Sequence, residues 1–125
     1  MDVTPLVKAG QQIIQSYADG HFRISGKIYD SAVIVLPDSV QKWTFSGGVS
    51  ELSEDDFAPL IDVADSIDVV LLGCGPQIQF LSHPLRNALK DKGLSVDVMD
   101  TGAACRTYNV LMAEGRRVAA ALLPF

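Results

Sequence analysis

The chain has no lysine or arginine between Trp43 and Arg86, a stretch that carries Glu51, Glu54, Asp55, Asp56, Asp62, Asp65 and Asp68. Basic residues never form a run of five, and the net charge of −5 repels phosphate backbones, so nucleic acid is excluded as an expected partner. Cysteine is scarce too. Cys74 and Cys105 are too few for a metal site of their own and lack the C-x-x-C spacing of a redox dithiol, so reduced thiols, no disulfide and no bound metal are expected. No apolar run approaches the ~20 residues that a membrane-spanning helix needs. The opening MDVTPLVKAGQQIIQSY has neither the basic and apolar regions of a secretory signal nor the arginine and serine richness of a transit peptide, which makes the cytoplasm the expected compartment.

What is present is ordinary for a folded domain. The 125 residues, 48% hydrophobic and 20% charged, suffice for one core, and a single compact domain over 1–125 is expected. The first half reads as β-rich. Ala18-Asp19-Gly20 is a turn, FRISGKIYDSAVIVLP supplies two strands broken at Gly26 and ended by Pro37, and VQKWTF is a further strand that ends at Gly47-Gly48. Period-two placement of Phe22, Ile24, Ile28, Val33 and Val35 predicts an antiparallel sheet with one buried face. Ser53 and Asp56 have the spacing of a capping box before a helix whose apolar stripe is Phe57, Leu60, Ile61 and Ala64.

From residue 67 the pattern changes. IDVVLLG is a continuous apolar run of the kind found in fully buried strands, Leu85, Ala88 and Leu89 mark a helix stopped at Gly93, and LSVDVM is the next strand. A second helix runs through CRTYNVLMAEG, capped by Asp100 or Thr101, before RRVAAALLPF closes the series as a strand. Right-handed crossovers then place 68–72, 94–99 and 117–123 parallel to one another. The expected class is α/β, or α+β, with a mixed sheet followed by β-α-β-α-β.

The most motif-like segment is GCGP, after the strand at 68–72. A dinucleotide fingerprint wants a third glycine where Ile78 stands, Pro76 removes a backbone N–H, and the lysine and hydroxyl of a P-loop are missing. No cofactor is expected from it, and Gly73 and Gly75 are accounted for by a sharp turn. Ligands of open α/β sheets nevertheless favour the crevice beyond the carboxyl ends of the strands. Gly73, Gly75, Thr101, Gly102 and Arg106 converge there as a candidate anion site, the alternative being that Thr101 caps its helix and Arg106 pairs with a surface carboxylate. Cys105, in the first turns of that helix, is either a thiol activated by the helix dipole or a small packed hydrophobe. His21 and His83 offer no base at a telling spacing, so no catalytic constellation is expected.

The stretches TGAACRTYNVLMAEGRRVAAALLPF and YADGHFRISGKIYDSAVIVLP, with the strand-GCG turn, resemble the small-domain family of mitochondrial NADH:ubiquinone oxidoreductase (complex I) assembly factor 3, the adipogenesis-associated domain protein and uncharacterised bacterial, especially α-proteobacterial, proteins. The resemblance spans nearly the whole chain. It implies a β and β/α domain, no established enzyme activity, and attention to Gly26, Tyr29, Gly73, Gly75, Thr101, Arg106, Thr107, Tyr108, Asn109, Glu114 and Arg116. Relatives often carry threonine between the two glycines and basic residues soon after, where this chain has Cys74 and Pro76-Gln77. The function so implied is assembly of respiratory complex I through protein binding. Its expected partners are complex I subunits or other membrane-complex assembly proteins, reached in the cytoplasm or at the inner membrane through a partner. The rival is a small-molecule or anion binder, or an enzyme, using the crevice at Gly75, Thr101 and Arg106. Tyr108 and Asn109 complete the candidate ligand or partner site. The acidic stretch is read as a solvated face or as a docking surface for a basic partner.

Overall fold

In the computed structural model, which describes residues 10–45 and 47–125, two pairs of residues share positive φ: Asp19 and Gly20 at 52° and 80°, and Ser25 and Gly26 at 48° and 84°. Each pair makes a two-residue turn whose backbone twist matches that of the strands it joins. The result is a three-stranded antiparallel sheet of β1 (Ile14–Ala18), β2 (His21–Ile24) and β3 (Lys27–Tyr29). Phe22 and Ile24 point inward and are buried, while Ile28, expected inside, is 57% exposed. It lies opposite Arg23 in the β2–β3 register, and that pair faces outward.

A second sheet holds β4 (Val33–Leu36), β5 (Ser39–Lys42), β6 (Val69–Gly73), β7 (Val96–Met99) and β8 (Val118–Leu122), in the order β5-β4-β8-β6-β7. β6 runs parallel to both β7 and β8, and β4 runs antiparallel to both β5 and β8. The parallel arrangement expected of the second half is therefore present, within a mixed sheet. Contrary to the one-wet-face reading, β4 is buried on both faces: Ile34 packs on one side, Val33 and Val35 on the other. The strand expected to run through Trp43 to Phe45 stops at Lys42. Trp43 turns into the core instead, 3% exposed, its indole N–H donating to the Asp56 carbonyl at 2.7 Å.

Each face of the large sheet has its own cover. One is closed by Trp43, Leu52, Phe57, Leu60 and Leu81 together with helix α2 (His83–Asp91), whose Leu89 is fully buried. The helix expected after Ser53 is a 3₁₀ turn (Glu54–Phe57) running into a single α-turn, α1 (Ala58–Ile61). Its capping box forms, the Asp56 carboxylate accepting from the Ser53 N–H at 2.8 Å and from the Ser53 hydroxyl at 3.1 Å. The opposite face is closed by helix α3 (Thr101–Ala113) and the small sheet, through Ala104, Cys105, Tyr108 and Met112 against Ile14, Phe22 and Ile24. Alanines 119–121 of β8, all fully buried, keep the sheet thin enough for both layers to approach it.

α2 and α3 thus leave β6 and β7 toward opposite faces, which makes the carboxyl ends of those two strands the switch point of the sheet. No helix among the described residues is long and apolar enough to cross a membrane. The reading of the amino-terminal stretch as free of a leader rests largely on residues 1–9, which lie outside the described residues.

Candidate functional site

At the switch point the backbone of the GCG turn is tied to the start of α3. The Gly75 N–H donates to the Thr101 hydroxyl at 2.8 Å, and the Thr101 N–H donates to the Gly75 carbonyl at 2.8 Å. The Thr101 hydroxyl in turn donates to the Leu123 carbonyl at 2.7 Å, while the Leu123 N–H reaches the Gly73 carbonyl at 3.0 Å. Thr101 is fully buried and fills the crevice between the strand ends. Gly73 is required there for space: a Cβ would lie 3.0 Å from the Thr101 Cα, the Thr101 Oγ1 and the Leu122 Cδ2. Gly75 is required for conformation: its φ is 96°, while a Cβ at that position would meet nothing within 4 Å.

The structure therefore brings Gly73, Gly75 and Thr101 together as a closed hydrogen-bonded junction. The helix cap is Asp100, whose Oδ1 accepts from the Ala103 N–H at 2.9 Å. That carboxylate takes the place at the helix N-terminus where an anion would bind.

The remaining candidates face another way. Gly102 is buried beneath Tyr17, where a Cβ would come within 2.9 Å of the phenol oxygen. Arg106 is exposed and its Nη1 donates to the same oxygen at 2.6 Å. Tyr108 is fully buried and its hydroxyl donates to the Gln12 carbonyl at 2.9 Å. Burial raises the Tyr108 phenol pKa far above its ordinary value, and the charge of Asp38 adds to the rise. Asn109 holds Ile14 at both ends, accepting from its N–H at 2.9 Å and donating to its carbonyl at 2.7 Å. Four of the seven candidates thus clasp residues 12–17 to α3. No sequence pattern points to this clasp, because Tyr17 and Arg106 are 89 positions apart.

The two thiols sit on opposite faces of the sheet and are free. Burial pushes the Cys105 thiol up to about 12 against the pull of Arg106, so the helix dipole does not activate it. Cys74 is raised as well, by burial, and its Sγ lies 3.2 Å from the Gln79 carbonyl. Both are protonated near neutral pH and unsuited to nucleophilic work. Among the described residues no cluster of three or more histidine, cysteine or carboxylate side chains is placed to hold a metal ion. The segment between the turn and α2 exposes two large apolar side chains. Ile78 is 49% and Phe80 72% exposed there, and the alternation Gln77-Ile78-Gln79-Phe80 is the pattern that marks it.

An uncharacterised protein of Rhodobacter capsulatus is 37% identical to this chain over 116 residues, which cover 93% of this chain and 87% of that protein. Human NADH dehydrogenase [ubiquinone] 1 alpha subcomplex assembly factor 3 is 34% identical over 111 residues, 89% of this chain but 60% of the relative's length. A solution structure from Bordetella pertussis, described as an Mth938-like domain, superposes with a TM-score of 0.80 at 27% identity, covering 99% of this chain and 92% of the other. With residues 14–123 matching a family described as a protein of unknown function (DUF498/DUF598), the chain belongs to that family, whose members include the complex I assembly factor 3 proteins.

Proposed function

We propose that this protein acts by binding another protein during assembly of respiratory complex I, and that turnover of a metabolite is not its task. The observation that carries this reading is the contrast at the carboxyl ends of the parallel strands. The crevice there is filled by Thr101 and its neighbouring N–H groups are committed, whereas Phe80 and Ile78 stand exposed just beyond it. A small molecule entering at the Gly75–Thr101 junction would have to displace buried hydrogen bonds, while a protein partner gains by covering an aromatic side chain that water now wets. The likeness to the assembly factors supports a partner among the subunits of NADH dehydrogenase or the proteins that help to build it.

Two measurements test the proposal together. Deleting the gene lowers assembled NADH:ubiquinone oxidoreductase on native gels without changing the transcripts of its subunits. In a complemented strain, Phe80→Ser keeps the melting temperature of the purified protein within a degree or two and reduces recovery of those subunits in co-purification. Normal levels of the assembled complex in the deletion strain would overturn the reading.

A further inference from the structure

We infer that a cleft at the opposite end of the five-stranded sheet from the Gly75–Thr101 junction binds a small anionic amphiphile, a carboxylate carried on a short apolar chain. The cleft has a volume of about 380 Å³, within the range of small-molecule sites. Its floor is apolar: Leu36 from β4, Ile67 before β6, Met112 from α3 and Val118 from β8, with Val63 on one wall. Val63 is 36% exposed, so a ligand's chain gains by covering it.

Three charged side chains line the cleft, Arg116, Arg117 and Asp38, two guanidinium groups against one carboxylate. They differ in freedom. Arg117 is fixed, its Nη2 and Nε on the two oxygens of Asp68 at 2.6 and 3.2 Å and its Nη1 on the Asp65 carbonyl at 3.1 Å. It forms a wall of the cleft, its charge balanced by Asp68. Arg116 is 67% exposed, and its ion-pair contact is a long one, 3.9 Å from Nε to Glu114. Its guanidinium is therefore the group placed to take a carboxylate in a paired, charge-assisted contact.

The end of α3 beside the cleft would ordinarily repel an anion through its unpaired carbonyls. Here those carbonyls are used. The Arg116 N–H donates to the Leu111 carbonyl at 2.9 Å and the Gly115 N–H to the Met112 carbonyl at 3.0 Å, a Schellman closure with Gly115 at φ 79°. Asp38, on the β4–β5 turn, opposes the ligand's charge, so the preference for an anion rests on Arg116.

Three probes with the same five-carbon alkyl chain separate the terms: hexanoate, pentan-1-ol and pentylammonium, titrated into the full chain and followed by amide NMR. Hexanoate should saturate with a dissociation constant in the millimolar range, as burial of an alkyl chain of about five carbons gives. Its shifts should centre on Met112, Gly115 and Val118. Pentan-1-ol and pentylammonium should bind at least fivefold more weakly, and Arg116→Gln should weaken hexanoate by about the same factor without changing the fold's spectrum. Val63→Asp, which puts a charge on the wall, should abolish hexanoate binding. Equal binding of the three probes, binding unchanged in Arg116→Gln, or shifts spread over the surface without saturation would each overturn the inference.

Discussion

Thr101 shows how one side chain can serve as a structural node. Its hydroxyl accepts from Gly75 and donates to Leu123, so three segments that are far apart in sequence meet at one oxygen atom. Removing the hydroxyl strands a backbone N–H and a carbonyl in a site closed to water, each costing about 1–3 kcal/mol. Thr101→Val should therefore lower the unfolding free energy by about 2–4 kcal/mol in urea titrations, and Thr101→Ser, which keeps both bonds, by about 1 kcal/mol or less. A larger loss for Thr101→Ser than for Thr101→Val would assign the role of Thr101 to its methyl group, which valine keeps and serine lacks. Only part of this was legible in the sequence. The glycines of GCG and the threonine at the head of α3 could be placed at the same end of the sheet. That the threonine plugs the crevice depends on Leu123, whose carbonyl no pattern in the sequence singles out.

At the scale of elements, hydrophobic runs were the most reliable guide. β6 and β8 lie where their apolar stretches put them, because a strand buried on both faces has no polar alternative to confuse it, and β7, an edge strand with Asp97 exposed, lies where Val96, Val98 and Met99 put it. Shorter elements were less legible. The stripe from Phe57 to Ala64 breaks into 3₁₀ and single-turn pieces, since Phe57 and Leu60 must both reach the sheet while Ile61 and Ala64 are only partly covered. Asn109 gives the sharpest element-level test. Its carboxamide replaces a missing strand partner for Ile14, and the small sheet has few other polar ties to α3. Asn109→Ala should speed hydrogen exchange at the Ile14 and Ile24 amides by tenfold or more, about 1.4 kcal/mol of local opening, while amides of β6 and β8 keep their protection. Uniform acceleration across both sheets would mean that the two layers open as one unit.

For the whole molecule, the charge distribution makes a prediction of its own. The stretch from Glu51 to Asp68 covers the same face of the sheet as Leu81, and Phe80 adjoins that residue in sequence, so an apolar contact there would be approached through an acidic field. If that field guides a basic partner, association weakens as salt rises, and Asp55→Lys slows it further, whereas Asp56 is a poorer probe because it also closes the capping box. A salt-independent association rate in pull-down kinetics would remove the acidic stretch from the docking surface. The sheet edges are meanwhile unsuited to partners, with Lys27 on β3, Lys42 on β5 and Asp97 on β7 each presenting a charge where another strand would add. The strand order has a different kind of consequence. β8 lies between β4 and β6, so during synthesis the two halves of the large sheet have no common neighbour until residues 118–122 have been made. A ribosome-bound chain halted before Val118 would hold β4-β5 and β6-β7 as separate pairs, each with an open, wholly apolar edge. This is the stage at which a nascent chain would most need a chaperone's cover.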